Sequence, residues 1–349
     1  MINYKWGLNY FLLFIVSILL VTGCATNDQV ELQGAGATFP YPLYSKMFHE
    51  YYKQFNTKIN YQAIGSGGGI RQLANKTVDF GASDAFMSDA KLKKFDNKIL
   101  HIPICLGAVA LSYNLPEVGE IKLTPDVLAD IFLGKITKWN DQRLQAINPK
   151  ITLPNLDVVA VYRSDGSGTT FIFTDYLAKV SSAWKSKVGY GKSVNWPIGL
   201  GGKGNAGVAG IVKQTPGAIG YIGHIYALQN KMPVVMLRNK SGNYVACSLQ
   251  SVSYAADTVI PADTRVSITN TEAKYGYPIS GFTWILAYQN QNFNSRTEAQ
   301  ARETKKLIYW MVTEGQQYAP GLQYAKLPPV VAKQAEKILD SIHYAGKVL

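Results

Sequence analysis

Apolar and polar positions change rhythm several times along this chain. Residues 8–22 (LNYFLLFIVSILLVT) are almost wholly apolar, with Lys5 ahead of them. Charge, then a short apolar run, is the order of a secretory signal. The run is also shorter than the roughly 20 residues a spanning helix needs. From Val30 onward, short β-like runs alternate with segments of helical period, which predicts an α/β fold. Leu43, Met47, Phe48, Tyr51 and Phe55 recur at helical spacing in YPLYSKMFHEYYKQF, after Pro40 and Pro42. Proline suits the first turn of a helix, where its missing N–H is not needed. Further helices are predicted over IRQLANK (70–76), TTFIFTDYLAKV (169–180), Thr297–Thr313 and Pro329–Ser341, and a buried strand over TWILAY (283–288). The stretches GKSVNWPIGLGGKGNAGVAGIV and TPGAIGYIG read as loop-rich.

The early apolar run ends in Val21-Thr22-Gly23-Cys24. Small residues before a cysteine resemble a bacterial lipobox, so residues 1–23 are expected to be removed and Cys24 lipidated. A buried helix or an uncleaved anchor would also be apolar; the cysteine at the end of the run favours lipidation. Residues 24–29 would tether the fold. Cys105 and Cys247 could pair outside the cytoplasm, although two unpaired thiols are the simpler reading. The four histidines are scattered and lack metal-ligand spacing, so no metal or other cofactor is expected. The net charge of +12 is spread along the chain, densest at Lys91-Leu92-Lys93-Lys94. That points to a solvated basic surface rather than a nucleic-acid interface.

Three strand-like runs lead into glycine- and serine-rich turns that open helices: Gly34–Pro40, Gly65–Gly69 and Arg163–Gly168. Each helix start offers unpaired N–H groups and partial positive charge. Ordinary capping accounts for any one such turn. Three that converge would cradle an anion without a metal. Arg163 can grip an oxyanion in a bidentate manner, and Asp165 could steady it; an internal Arg–Asp pair is the alternative. Asp84 would repel a bare dianion. It suits a ligand that brings a proton, as hydrogen phosphate does and sulfate near neutral pH does not. A turn aspartate is the plainer reading. Catalytic templates fail: 34–39 lacks the third glycine of G-x-G-x-x-G, neither Gly191-Lys192-Ser193 nor Gly202-Lys203 completes a P-loop, and Gly166-Ser167-Gly168 is not a nucleophile elbow.

The motifs GAGATFP (34–40), IGSGGGIRQ (64–72), VDFGASDA (78–85), LGKITKWND (133–141), RSDGSGTT (163–170), WPIGLGGKGN (196–205) and PGAIGYI (216–222), in this order, closely resemble the phosphate-binding proteins of phosphate-specific ABC transporters. The resemblance spans about 30 to 349. It implies a two-lobed periplasmic-binding-protein fold (type II) whose chain crosses a hinge twice, with 30–114 and 279–349 in the first lobe and 115–278 in the second. It implies a non-enzymatic, monomeric protein that captures inorganic phosphate outside the cytoplasmic membrane and hands it to permease subunits of an importer. An extracellular phosphatase, or a binding protein for another tetrahedral oxyanion, is the alternative. By motif, the phosphate ligands would be Thr38, Phe39, Ser66, Asp84, Arg163, Ser167, Gly168 and Thr169, with Asp165 orienting the arginine. Gly67 departs from a serine common in relatives, Met87 from a proline, and residues 239–275 match poorly.

Overall fold

The computed structural model describes residues 30–349. The apolar segment at 8–22, the proposed cleavage point and Cys24 lie outside them. No helix among the described residues is long and apolar enough to cross a membrane.

The chain begins with β1 (Glu31–Gly36), α1 (Tyr41–Phe55), β2 (Lys58–Gln62), α2 (Ser66–Ala74), β3 (Phe80–Ser83), the short α3 (Asp89–Leu92) and β4 (Ile99–Tyr113). Residues 114–279 form β5 (Lys122–Leu123), α4 (Pro125–Phe132), α5 (Gln142–Ile147), β6 (Val159–Arg163), α6 (Gly168–Val180), α7 (Ser182–Lys187), β7 (Leu200–Gly202), α8 (Gly204–Gln214), β8 (Ala218–Gly223), α9 (His224–Gln229), β9 (Met236–Arg238), β10 (Tyr244–Val245) and α10 (Leu249–Ala255). The chain then returns through β11 (Ser280–Tyr288), α11 (Glu298–Val312), α12 (Pro329–Asp340) and a terminal hairpin, β12 (His343–Tyr344) and β13 (Lys347–Val348).

One eight-stranded sheet, ordered β2-β1-β3-β11-β4-β8-β6-β7, runs through both lobes. Strand β4 is the shared member. It pairs antiparallel with β11 from Ile99 to Ala108 and then with β8 from Val109 to Tyr113. All fifteen of its residues are buried, so it lacks the alternation that marks a half-exposed strand. Its pairing with β11 shifts register between Thr283 and Trp284, opposite Cys105 and Pro103. Proline has no ladder N–H to give, which suits it to a bulge. The carbonyl of Ile104 there accepts from Gln316 Nε2 at 2.8 Å.

Local chemistry explains most boundaries. α1 has proline in its first turn and buries Leu43, Tyr44, Met47, Phe48 and Tyr51. Each such side chain contributes about 1.5–3 kcal/mol of transfer free energy. Asn56, at φ 56°, ends the helix in the left-handed conformation that asparagine tolerates. α11 opens with a reciprocal capping box between Thr297 and Gln300. The loop-rich expectation for 191–212 is corrected in part: GNAGVAGIVKQ is α8, with Val208, Ala209 and Val212 buried. Burial outweighs the low helix propensity of glycine. TPGAIGYIG likewise contains a fully buried strand, β8. Both Cys105 and Cys247 are free thiols.

Candidate anion-binding site

The turns after β1, β2, β3 and β6 meet where the lobes face each other. Gly65, at φ 84°, lets the chain turn sharply into α2 while its N–H bonds the Gly36 carbonyl at 2.8 Å. Ser66 is therefore the first residue of α2 rather than its cap. Its hydroxyl is left to accept from the N–H of Asp84 (3.2 Å) and from the N–H of Gly168 on the other lobe (3.1 Å). Gly67 N–H bonds the Gly166 carbonyl across the same gap at 2.7 Å. Ser167 does cap α6, its Oγ accepting from Thr170 N–H at 3.0 Å.

Arg163 is the last residue of β6 and is 3% exposed. Its Nε and Nη2 donate to the two oxygens of Asp165 at 2.8 and 2.6 Å, and Nη1 donates to Thr169 Oγ1 at 3.1 Å. The expected pairing of Arg163 and Asp165 is thus present. A guanidinium has five N–H donors; the remaining two have no partner among the described residues. Burial pushes the Asp165 carboxyl up, but the Arg163 guanidinium and the Gly204 N–H outweigh it, and the carboxyl sits below its ordinary value.

Asp84 follows β3 and is 2% exposed. Its Oδ2 lies 3.4 Å from Ser66 Oγ, while Oδ1 has no hydrogen-bond partner. Burial raises this carboxyl to about 7, against the pull of the Thr283 hydroxyl, the Arg163 charge and the Ser66 hydroxyl. A buried acceptor without a partner is costly. In a ring of donors, it suits a ligand that supplies a proton. The fit is close. A Cβ added at Gly168 would lie 2.5 Å from both Asp84 Oδ2 and Ser66 Oγ.

Thr38 and Phe39 lie on the turn before α1 and are both buried. Thr38 Oγ1 accepts from Asn205 Nδ2 at 2.7 Å and Asn205 N–H at 3.2 Å. Seven of the nine phosphate-site residues named from the sequence are joined here by hydrogen bonds: Ser66 with Asp84 and Gly168, and Arg163 with Asp165, Thr169 and, through Asn205, Thr38. Phe39 and Ser167 adjoin them in the chain, Ser167 with its Oγ engaged in capping α6. Asn205 was missed. It also donates to Thr169 Oγ1 (3.2 Å) and accepts from Gly223 N–H (2.8 Å) through its side chain. The available signal was an asparagine in the opening turn of a glycine-rich helix, within a motif read as loop. Met87 is accounted for too. Its N–H donates to buried His101 Nε2 at 3.0 Å, a bond proline could not make. Burial lowers that imidazole to about 3, so it is a neutral acceptor.

Residues 23–314 match the PBP superfamily domain. The protein named phosphate-binding protein PstS of Pasteurella multocida is 41% identical, over 92% of this chain and 93% of its own. The chain belongs to this phosphate-binding protein family. The protein of the same name from Xylella fastidiosa (strain Temecula1) is 44% identical, over 89% of this chain and 85% of its own. Among solved structures, a phosphate binding protein from Stenotrophomonas maltophilia superposes with a TM-score of 0.65 at 18% identity, covering 88% of this chain and 93% of that one. The two-lobed periplasmic-binding fold expected from the motifs is the fold observed.

Proposed function

We propose that this chain captures inorganic phosphate in the cleft between its lobes and delivers it to the permease subunits of an ABC importer. The observation that carries the reading is Asp84, a buried acceptor with an unpartnered oxygen, set among donors from both lobes. Thr38 and Ser66 would contribute hydroxyls, and Phe39 and Gly168 backbone N–H groups. Ser167 and Thr169 would close the ring, while Arg163, steadied by Asp165, would supply the charge. Starts of α1, α2 and α6 add their positive ends. Hydrogen phosphate would donate its proton to Asp84, which sulfate cannot do.

The lobes would comprise 30–114 with 279–349, and 115–278. The exchange of partners along β4 at Ala108–Val109 supports a hinge close to the first junction. The charged start and short apolar run at 8–22 support export, and the sequence around Cys24 supports a lipid anchor that would hold the protein, as a monomer, outside the cytoplasmic membrane. Titration calorimetry of the chain from residue 25 with phosphate should show one tight site that Arg163→Ala abolishes. A wild-type chain that gives no phosphate heat would overturn the proposal. Sustained release of phosphate from a phosphomonoester, dependent on Arg163, would favour an enzyme instead.

A further inference from the structure

The turn before α1 has to offer the Thr38 hydroxyl and the Phe39 N–H toward the cleft, so its carbonyls need partners elsewhere. Three consecutive carbonyls find three phenols. Tyr61 donates to Ala37 O at 2.9 Å, Tyr226 to Thr38 O at 2.5 Å, and Tyr324 to Phe39 O at 2.5 Å. Burial pushes all three phenols above their ordinary value, so each is a protonated donor throughout the working pH range.

The three are not equivalent. Tyr61 on β2 and Tyr324 before α12 belong to the lobe that carries the turn. Tyr226 is on α9 of the other lobe and is 8% exposed. Asn205, also from that lobe, holds Thr38 Oγ1. Residue 38 is therefore gripped across the cleft at both its side chain and its carbonyl.

We propose that Tyr226 is a closure latch, a positioning residue whose hydroxyl bonds Thr38 only when the lobes are shut and so prolongs phosphate retention. The latch rests on the phosphate reading above. When the lobes part, its hydroxyl returns to water and the Thr38 carbonyl keeps only the Tyr41 N–H, at 3.2 Å. The bond therefore favours the closed state by the small net amount typical of one neutral hydrogen bond. Because it forms after the ligand has entered, it acts on dissociation rather than association.

The test is stopped-flow phosphate binding to the chain from residue 25, as wild type, Tyr226→Phe and Tyr324→Phe, with melting of each ligand-free protein. Tyr226→Phe should dissociate about 5- to 10-fold faster, with its association rate within about twofold of wild type and its ligand-free melting unchanged. Tyr324→Phe, which removes the same kind of bond within one lobe, should lower ligand-free melting. Dissociation of Tyr226→Phe at the wild-type rate, a loss confined to association, or a fall in ligand-free melting matching that of Tyr324→Phe would each overturn the latch while leaving phosphate binding in place. A wild-type chain that binds no phosphate would sink the functional reading and the latch together.

Discussion

In the proposed site, Asp84 would make selectivity between phosphate and sulfate a question of protons. One proton must lie between its carboxylate and the bound anion. Phosphate can bring it; sulfate can bind only when Asp84 already holds it. With the carboxyl at about 7 in the closed cleft, roughly one closed molecule in eleven carries that proton at pH 8 and ten in eleven at pH 6. The apparent affinity of a ligand scales with the competent fraction. Sulfate binding should therefore strengthen about tenfold from pH 8 to pH 6, and fall a further tenfold for each unit above pH 8. Asp84→Asn removes the titration and the charge. Its sulfate affinity should be flat with pH. Its phosphate affinity should drop by about 10- to 150-fold, the range for losing a hydrogen bond to a charged group worth about 1.5–3 kcal/mol. Calorimetric titration with both anions from pH 6 to pH 9 measures all of this. Sulfate binding to the native chain that ignores pH, or an Asn variant that keeps the native preference for phosphate, would refute the reasoning.

Gly168→Ala should cut phosphate affinity by about 5- to 150-fold with little change in melting, because overpacking costs about 1–3 kcal/mol and the added Cβ would lie 2.5 Å from Asp84 and Ser66 only when the lobes meet; native affinity would contradict the closed geometry. Asp165→Ala leaves the Arg163 guanidinium, whose side chain is 1% exposed, without its carboxylate; urea denaturation should show a loss of about 3–5 kcal/mol, and a loss under 1 kcal/mol would show that the pair is not structural.

The site was legible where its signal was local. Proline before an apolar stripe of helical period marked α1, whose span was read correctly. Arg163 and Asp165, two residues apart at a strand end, form the pair their spacing allowed. What stayed hidden depends on distant partners. Strand β4 is buried on both faces, so it offers no periodicity. Helix α8 exists through packing that its glycines obscure. Capping was the plain alternative for the serine-rich turns, yet at α2 Gly65, with its positive φ, takes the cap position and frees the Ser66 hydroxyl for Asp84 and Gly168. Asn205 meets Thr38 across 167 residues of chain, and Tyr226 meets it across 188. No local pattern announces such contacts.

A crystal structure of the chain from residue 25, grown with phosphate at pH 7, tests the central claim most directly. The account predicts one phosphate between the lobes, with one oxygen within hydrogen-bond distance of Asp84 and others held by Arg163, Ser66, Thr38 and the N–H of Gly168. A cleft without phosphate, or a phosphate bound away from Asp84 and Arg163, would contradict it.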